Sequence, residues 1–173
     1  EDSGDSIKKQ NSKIEFKKTE FRGMTGGKCK MTAQECLQIL RNVKDVAFAT
    51  TDEDGFPQVR IIDVMLVEEG KLYFCTARGK DFYRQLISSG RAAVTGLNRE
   101  YQMVRVSGKV RKLSDQKAWI DRIFEENPSM KGVYPGESRY ILEPFCIEEG
   151  EAEFFDLGKI RFTGKASALE GEE

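Results

Sequence analysis

Residues 57–67, Pro-Gln-Val-Arg-Ile-Ile-Asp-Val-Met-Leu-Val, form a strand-like run that is apolar on both faces yet holds an arginine. Val59, Ile61, Met65 and Val67 fall on one side, and Ile62, Val64 and Leu66 on the other. Both faces therefore need covering, one by a core and the other by a partner surface. Arg60 sits among Val59, Ile61 and Ile62, where a positive charge requires an anion, a carboxylate or a route to water. A second strand-like run, residues 71–76, leads directly into Arg78-Gly79-Lys80 and the start of a short helix. Arginine, threonine, lysine and free helix-terminal amides would converge there, a set of donors suited to a phosphorylated ligand. The plainer reading is that Arg78 and Lys80 cap a solvated helix.

The flanking sequence predicts short helices between strands. Thr32 and Glu35 match a capping box ahead of the apolar stripe Leu37, Leu40 and Val43. Residues 46–51 read as a strand that ends in a tight Asp52-Glu53-Asp54-Gly55 hairpin turn. A helix over residues 81–88 places Phe82, Gln85 and Leu86 at helical spacing, and Gly90 stops it. Residues 92–97 and 102–113 predict two strands, the second with Val104, Val106 and Val110 on one face. Gly108 lies between them as a bulge, a corner or a close approach. Ser114 is the expected cap of a helix carrying Trp119, Ile120 and Ile123, which stops before Asn127-Pro128. Residues 140–146 and 151–157 read as two final strands joined by a Glu148-Glu149-Gly150 turn. Together these elements predict a mainly β fold with short helices, most economically a small antiparallel barrel.

With 173 residues, one real core is expected. The expected organisation is an amino-terminal extension over residues 1–30, a barrel domain over 31–160, and an acidic tail over 161–173. The 28 basic and 29 acidic residues nearly cancel, which argues against a generic nucleic-acid footprint. No run approaches the ~20 apolar residues of a membrane helix. Cys29, Cys36, Cys75 and Cys146 form no CxxC pair, so a reduced, cytoplasmic protein without a zinc or iron–sulfur centre is expected. Histidine is absent from the sequence. That excludes a Ser-His-Asp or Cys-His arrangement, a HExxH site and histidine-ligated haem supplied by this chain. The Asp52-Glu53-Asp54 cluster resembles metal carboxylates only by composition; no metal site and no catalytic side chain are assigned.

Four segments, in this order and spacing, carry a family resemblance: Gly55-Phe56-Pro57-Gln58-Val59-Arg60, Leu72-Tyr73-Phe74-Cys75-Thr76, Arg78-Gly79-Lys80-Asp81, and residues 103–110, Met-Val-Arg-Val-Ser-Gly-Lys-Val. From about Met31 through Leu157 the chain resembles the pyridoxamine 5′-phosphate oxidase-like FMN-binding split-barrel family, especially its flavin-reductase-like and uncharacterised bacterial members. The resemblance implies a six-stranded antiparallel split β-barrel, a homodimer, and FMN held at the interface. It implies cofactor contacts from Arg60, Ile61, Ile62, Cys75, Thr76, Arg78 and Lys80, with Arg105 approaching from the other subunit. The family's fuller substrate-binding Arg/His pattern has no histidine counterpart here, which separates FMN binding from vitamin B6 oxidation. The implied function is an FMN-dependent oxidoreductase taking electrons from a reduced nicotinamide to a small acceptor. The alternative is a non-catalytic flavin-binding or sensory module, and a third reading places haem, held by Cys or Tyr, or another flavin-like cofactor in the same barrel.

Overall fold

The computed structural model describes residues 14–16 and 31–157. The elements in chain order are β1 (Ile14–Phe16), α1 (Ala33–Val43), β2 (Asp45–Thr51), β3 (Pro57–Asp63), β4 (Leu66–Glu68), β5 (Lys71–Ala77), α2 (Asp81–Ser89), β6 (Arg91–Leu97), β7 (Gln102–Lys112), α3 (Gln116–Glu126), α4 (Met130–Val133), a 3-10 turn (Gly136–Ile141) and β8 (Leu142–Asp156). The strands form one curled sheet in the order β3-β2-β6-β7-β8-β5-β4, with β1 added alongside β8. Every pairing is antiparallel except that of β1 with β8. The mainly β, split-barrel class is therefore borne out. The expected tail (161–173) and Cys29 lie outside the described residues, as does most of the extension over residues 1–30.

The described sheet has eight strands where the resemblance implies six: β1 is added beside β8, and the 57–67 run is two strands. At Val64 and Met65 the chain changes partners, Val64 N donating to Lys44 O at 2.9 Å and Met65 N to Tyr73 O at 2.9 Å. The carbonyls freed by the kink are also met. Arg41 Nη1 donates to Val64 O and Asn127 Nδ2 to Met65 O, each at 2.9 Å. β3 and β4 are the two ends of the strand order, so this kink joins the two margins of the curled sheet through the chain.

A second correction concerns Glu148-Glu149-Gly150, which lies inside the single strand β8 and makes no turn. Gly150 pairs with Gly108. A Cβ on Gly150 would stand 2.1 Å from Ser107 O, and one on Gly108 would stand 2.4 Å from Glu149 O. Both glycines thus allow two backbones to approach. The register slips between Lys109 and Val110, a bulge at Glu148 that bends the strand. A third correction is small: Asp115, not Ser114, is the amino-terminal cap of α3.

The core follows the predicted faces. Leu37 and Leu40 from α1 meet Val46, Phe48, Leu72, Phe74, Val94, Val104, Val106, Phe145 and Ile147 from the sheet, together with Phe82 and Leu86 from α2. Phe74 anchors it, 4.7 Å from Phe48 and 5.7 Å from Phe145 between ring centres. α3 covers the opposite side of β5, packing Ile120, Ile123 and Phe124 on Met65, Cys75, Ala77 and Leu142. The Thr32–Glu35 capping box and the left-handed Gly90 stop appear as the sequence predicts.

Candidate functional site

α2 begins where β5 ends, and its first turn faces Arg60 of β3. The guanidinium carbon of Arg60 lies 4.4 Å from the centre of the Phe82 ring. Nη1 donates to Thr50 Oγ1 at 2.6 Å and Nη2 to Gln85 Oε1 at 2.8 Å. Thr50 and Gln85 are themselves buried and joined by a 2.6 Å hydrogen bond. Burial pulls the Arg60 guanidinium below its usual range, though an arginine stays charged at any physiological pH. Among the described residues, no carboxylate lies within ion-pairing reach of Arg60.

Lys80 is the cap residue of α2, exposed, and no side chain caps this helix. The first-turn amides thus lack a side-chain acceptor, and the helix dipole favours an anion there. Gly79 precedes it at φ 88°, a left-handed turn that suits glycine and steers the chain from β5 into α2. Thr76 is buried on β5, opposite Glu143 in register. Arg60 and Lys80 therefore flank the opening turn of α2, with Thr76 at the end of the adjoining strand.

The other expected contacts spread out. Arg78 Nη1 donates to Glu143 Oε1 at 2.6 Å and Nη2 to Tyr140 O at 2.8 Å, so its charge is already neutralised. Glu143 Oε2 is buried without a hydrogen bond. Lys112 Nζ stands 3.4 Å from it, an ion pair by distance but not by hydrogen-bond geometry. Cys75 packs beneath α3, and burial pushes its thiol up to about 12; its side chain serves packing. Ile62 packs against the main core, whereas Ile61 is 64% exposed on the opposite face of β3. Arg105 is far along the sheet, paired with Glu153 at 2.6 Å and resting on the Phe155 ring.

Ile61 and Arg105 belong to the face of the sheet that lies opposite the main core. There Ala47, Ala49, Val59, Ala93, Thr95 and Arg105 help line an open groove of about 440 Å³. The groove lies on the face of β3 away from the Arg60 side chain. At the far end of the hairpin Asp63 faces Asp45 across the strands. Burial and the neighbouring Asp45 carboxyl raise the Asp63 pKa, opposed by Lys44, whose Nζ is 3.7 Å away. Asp52 accepts from the amides of Asp54 and Phe56 and from Gln58. It is a turn staple, and no metal-holding cluster exists among the described residues.

The family model for pyridoxamine 5′-phosphate oxidase matches residues 32–133. The chain belongs to the pyridoxamine 5′-phosphate oxidase family. The pyridoxine/pyridoxamine 5′-phosphate oxidase of Brucella canis is 32% identical over 116 residues, which are 63% of this chain and 55% of the relative. The chain thus spans about half the length of the relatives it matches. A nimC/nimA family protein from Clostridium acetobutylicum superposes with a TM-score of 0.62 at 23% identity, covering 72% of this chain and 88% of the other. A putative pyridoxamine 5′-phosphate oxidase from Listeria innocua gives 0.57 at 17% identity, with 73% and 98% covered. Both likenesses concern the fold.

In this family member, sequence reasoning missed Thr50 and Gln85 as neighbours of Arg60. A signal existed for each. Gln85 is a polar residue on the apolar face of α2 beside Phe82 and Leu86, and Thr50 continues the inward alternation of Val46 and Phe48. A polar side chain on a buried stripe asks for a partner.

Proposed function

We propose that the chain binds FMN and acts as an FMN-dependent oxidoreductase, taking electrons from a reduced nicotinamide to a small acceptor. The observation that carries this reading is Arg60, a half-buried cation whose acceptors among the described residues are neutral, beside an uncapped helix turn. Such a group favours an anion, and a phosphate monoester matches a guanidinium fork, a lysine and helix amides at once. Arg60 and Lys80 would neutralise the phosphate and Thr76 would donate its hydroxyl. The backbone of Ile61 and Ile62 would line the ring along the margin of β3 that has no described strand neighbour. FMN, when bound, supplies hydride and single-electron transfer, so the absence of histidine is no obstacle.

The exposed apolar side chains of β3, Val59 at 72% and Ile61 at 64%, support a homodimer as the functional unit, since apolar patches of this kind are covered by association. In that assembly Arg105 would belong to the covered surface. Absorbance of the untagged protein as isolated, with mass analysis of the released ligand, tests the cofactor; a colourless preparation whose melting temperature ignores added FMN overturns it. Anaerobic mixing with FMN and reduced nicotinamide tests the donor. Failure of flavin reduction there removes the donor and leaves the binding claim standing.

A further inference from the structure

We infer that Thr50 and Gln85 are positioning residues: as neutral acceptors they aim the Arg60 guanidinium and reserve its charge for a phosphate monoester. The inference rests on the phosphate reading above and adds two residues that act through a third. Thr50 comes from β2, Arg60 from β3 and Gln85 from α2, so the cluster ties the β2–β3 hairpin to the helix whose first turn borders the site.

The hydrogen-bond assignment is forced by chemistry. Arginine only donates, so the atom of Gln85 at 2.8 Å from Nη2 must be its carbonyl oxygen. Thr50 Oγ1 accepts from Arg60 Nη1 at 2.6 Å and has one proton, which goes to the same Gln85 oxygen, also at 2.6 Å. The three side chains close a ring. The described residues use two of the five guanidinium N–H groups, which fixes the plane and leaves the others open to a ligand. Phe82 packs on the face of that plane.

The neutrality of this cradle stands out against the neighbouring arginines. Arg78 is matched by Glu143, Arg105 by Glu153 and Arg111 by Glu148. A glutamate at position 85 would have nearly the same shape and would cancel the Arg60 charge in place. A glutamine orients the cation without neutralising it.

Four variants test the assignment on the full chain: Gln85→Glu, Gln85→Met, Thr50→Val and Thr50→Ser. Dissociation constants for FMN and riboflavin are measured across a salt series, with thermal unfolding of each unliganded protein. Gln85→Glu should weaken FMN on the order of thirtyfold while riboflavin changes less than about threefold, and its FMN affinity should depend less on salt than the parent's, the remainder coming from Lys80. Gln85→Met and Thr50→Val should weaken FMN roughly fivefold, with Thr50→Ser restoring the parent value. An unchanged FMN-to-riboflavin ratio in folded Gln85→Glu overturns the inference, as does equal behaviour of Thr50→Val and Thr50→Ser. If the parent protein itself shows no preference for FMN, the phosphate reading fails separately. The positioning claim is then decided by guanidinium proton exchange in NMR. Slow Arg60 Nη exchange that quickens in Thr50→Val supports it, and fast exchange in both overturns it.

Discussion

Arg60 and Phe82 make the contact through which the candidate site meets the core. The guanidinium sits 4.4 Å from the ring centre, and the same ring lies 6.0 Å from both Phe48 and Phe74. One side chain thus packs the interior and supports the cation, so Phe82→Ala should affect both. A destabilisation of about 3–5 kcal/mol is expected from the lost aromatic, read from urea unfolding. Phe82→Leu should recover much of the stability while still weakening FMN binding. A leucine variant that binds FMN like the parent would show that the ring contributes packing alone.

Lys80 projects from an uncapped helix turn and holds no described partner. Lys80→Ala should weaken FMN roughly tenfold, the loss of one charge-assisted contact, while riboflavin binding and the melting temperature hold. Fluorescence titration with both ligands measures it. Equal losses for the two would remove the lysine from phosphate recognition.

Glu143 is buried and neutralises two cations, Arg78 at 2.6 Å and Lys112 at 3.4 Å. Replacing it with alanine should cost about 1–3 kcal/mol, less than a fully buried pair because both basic partners are partly exposed. Denaturant midpoints report the change, and Glu143→Gln should recover part of it by keeping the bond to Arg78.

Two thiols and a phenol give alkaline instability. Burial pushes Cys75 from 9.0 to about 12, Cys146 from 9.0 to about 11 and Tyr73 from 10.0 to about 12. Above pH 9 the unfolded chain releases thiol protons that the folded chain keeps, so the folded state binds more protons. Stability is therefore full below pH 9 and falls as pH rises towards 11, by at most about 1.4 kcal/mol per thiol per unit. Urea midpoints from pH 8 to 11 should show the decline, and Cys75→Ala with Cys146→Ala should flatten it. In the same window iodoacetamide should label Cys75 only after unfolding.

Gly150→Ala should be among the more damaging small substitutions. Its Cβ would meet Ser107 O at 2.1 Å, forcing apart the longest pairing in the sheet at about 1–3 kcal/mol or more. Near-parent stability would mean that the bulge at Glu148 absorbs the strain.

Much of the fold was legible because it depends on local rules. Thr32 with Glu35, the alternation of Val104 and Val106, and the Gly90 stop each act within a few residues. Glu148-Glu149-Gly150 misled because acid and glycine usually mark a turn. Here the acids meet Arg111 and Lys109 across the strand, and glycine admits a neighbouring backbone. The candidate site was legible at Arg60, whose charge within apolar sequence is unusual, and at Lys80, which stands at the start of a predicted helix. Arg78 was harder to place, since its partner Glu143 lies 65 positions away. Thr50 and Gln85 reach Arg60 across 10 and 25 positions, spacings that no helix or strand period marks.

The kink at Val64 and Met65 links two opposite borders of the barrel by a few peptide units. A molecule clasped at Arg60 on the first border is mechanically coupled to β4 on the second, because the intervening backbone is pinned by Arg41 and Asn127. Occupancy should therefore slow amide exchange at Met65 and Val67, well beyond any atom the bound molecule touches.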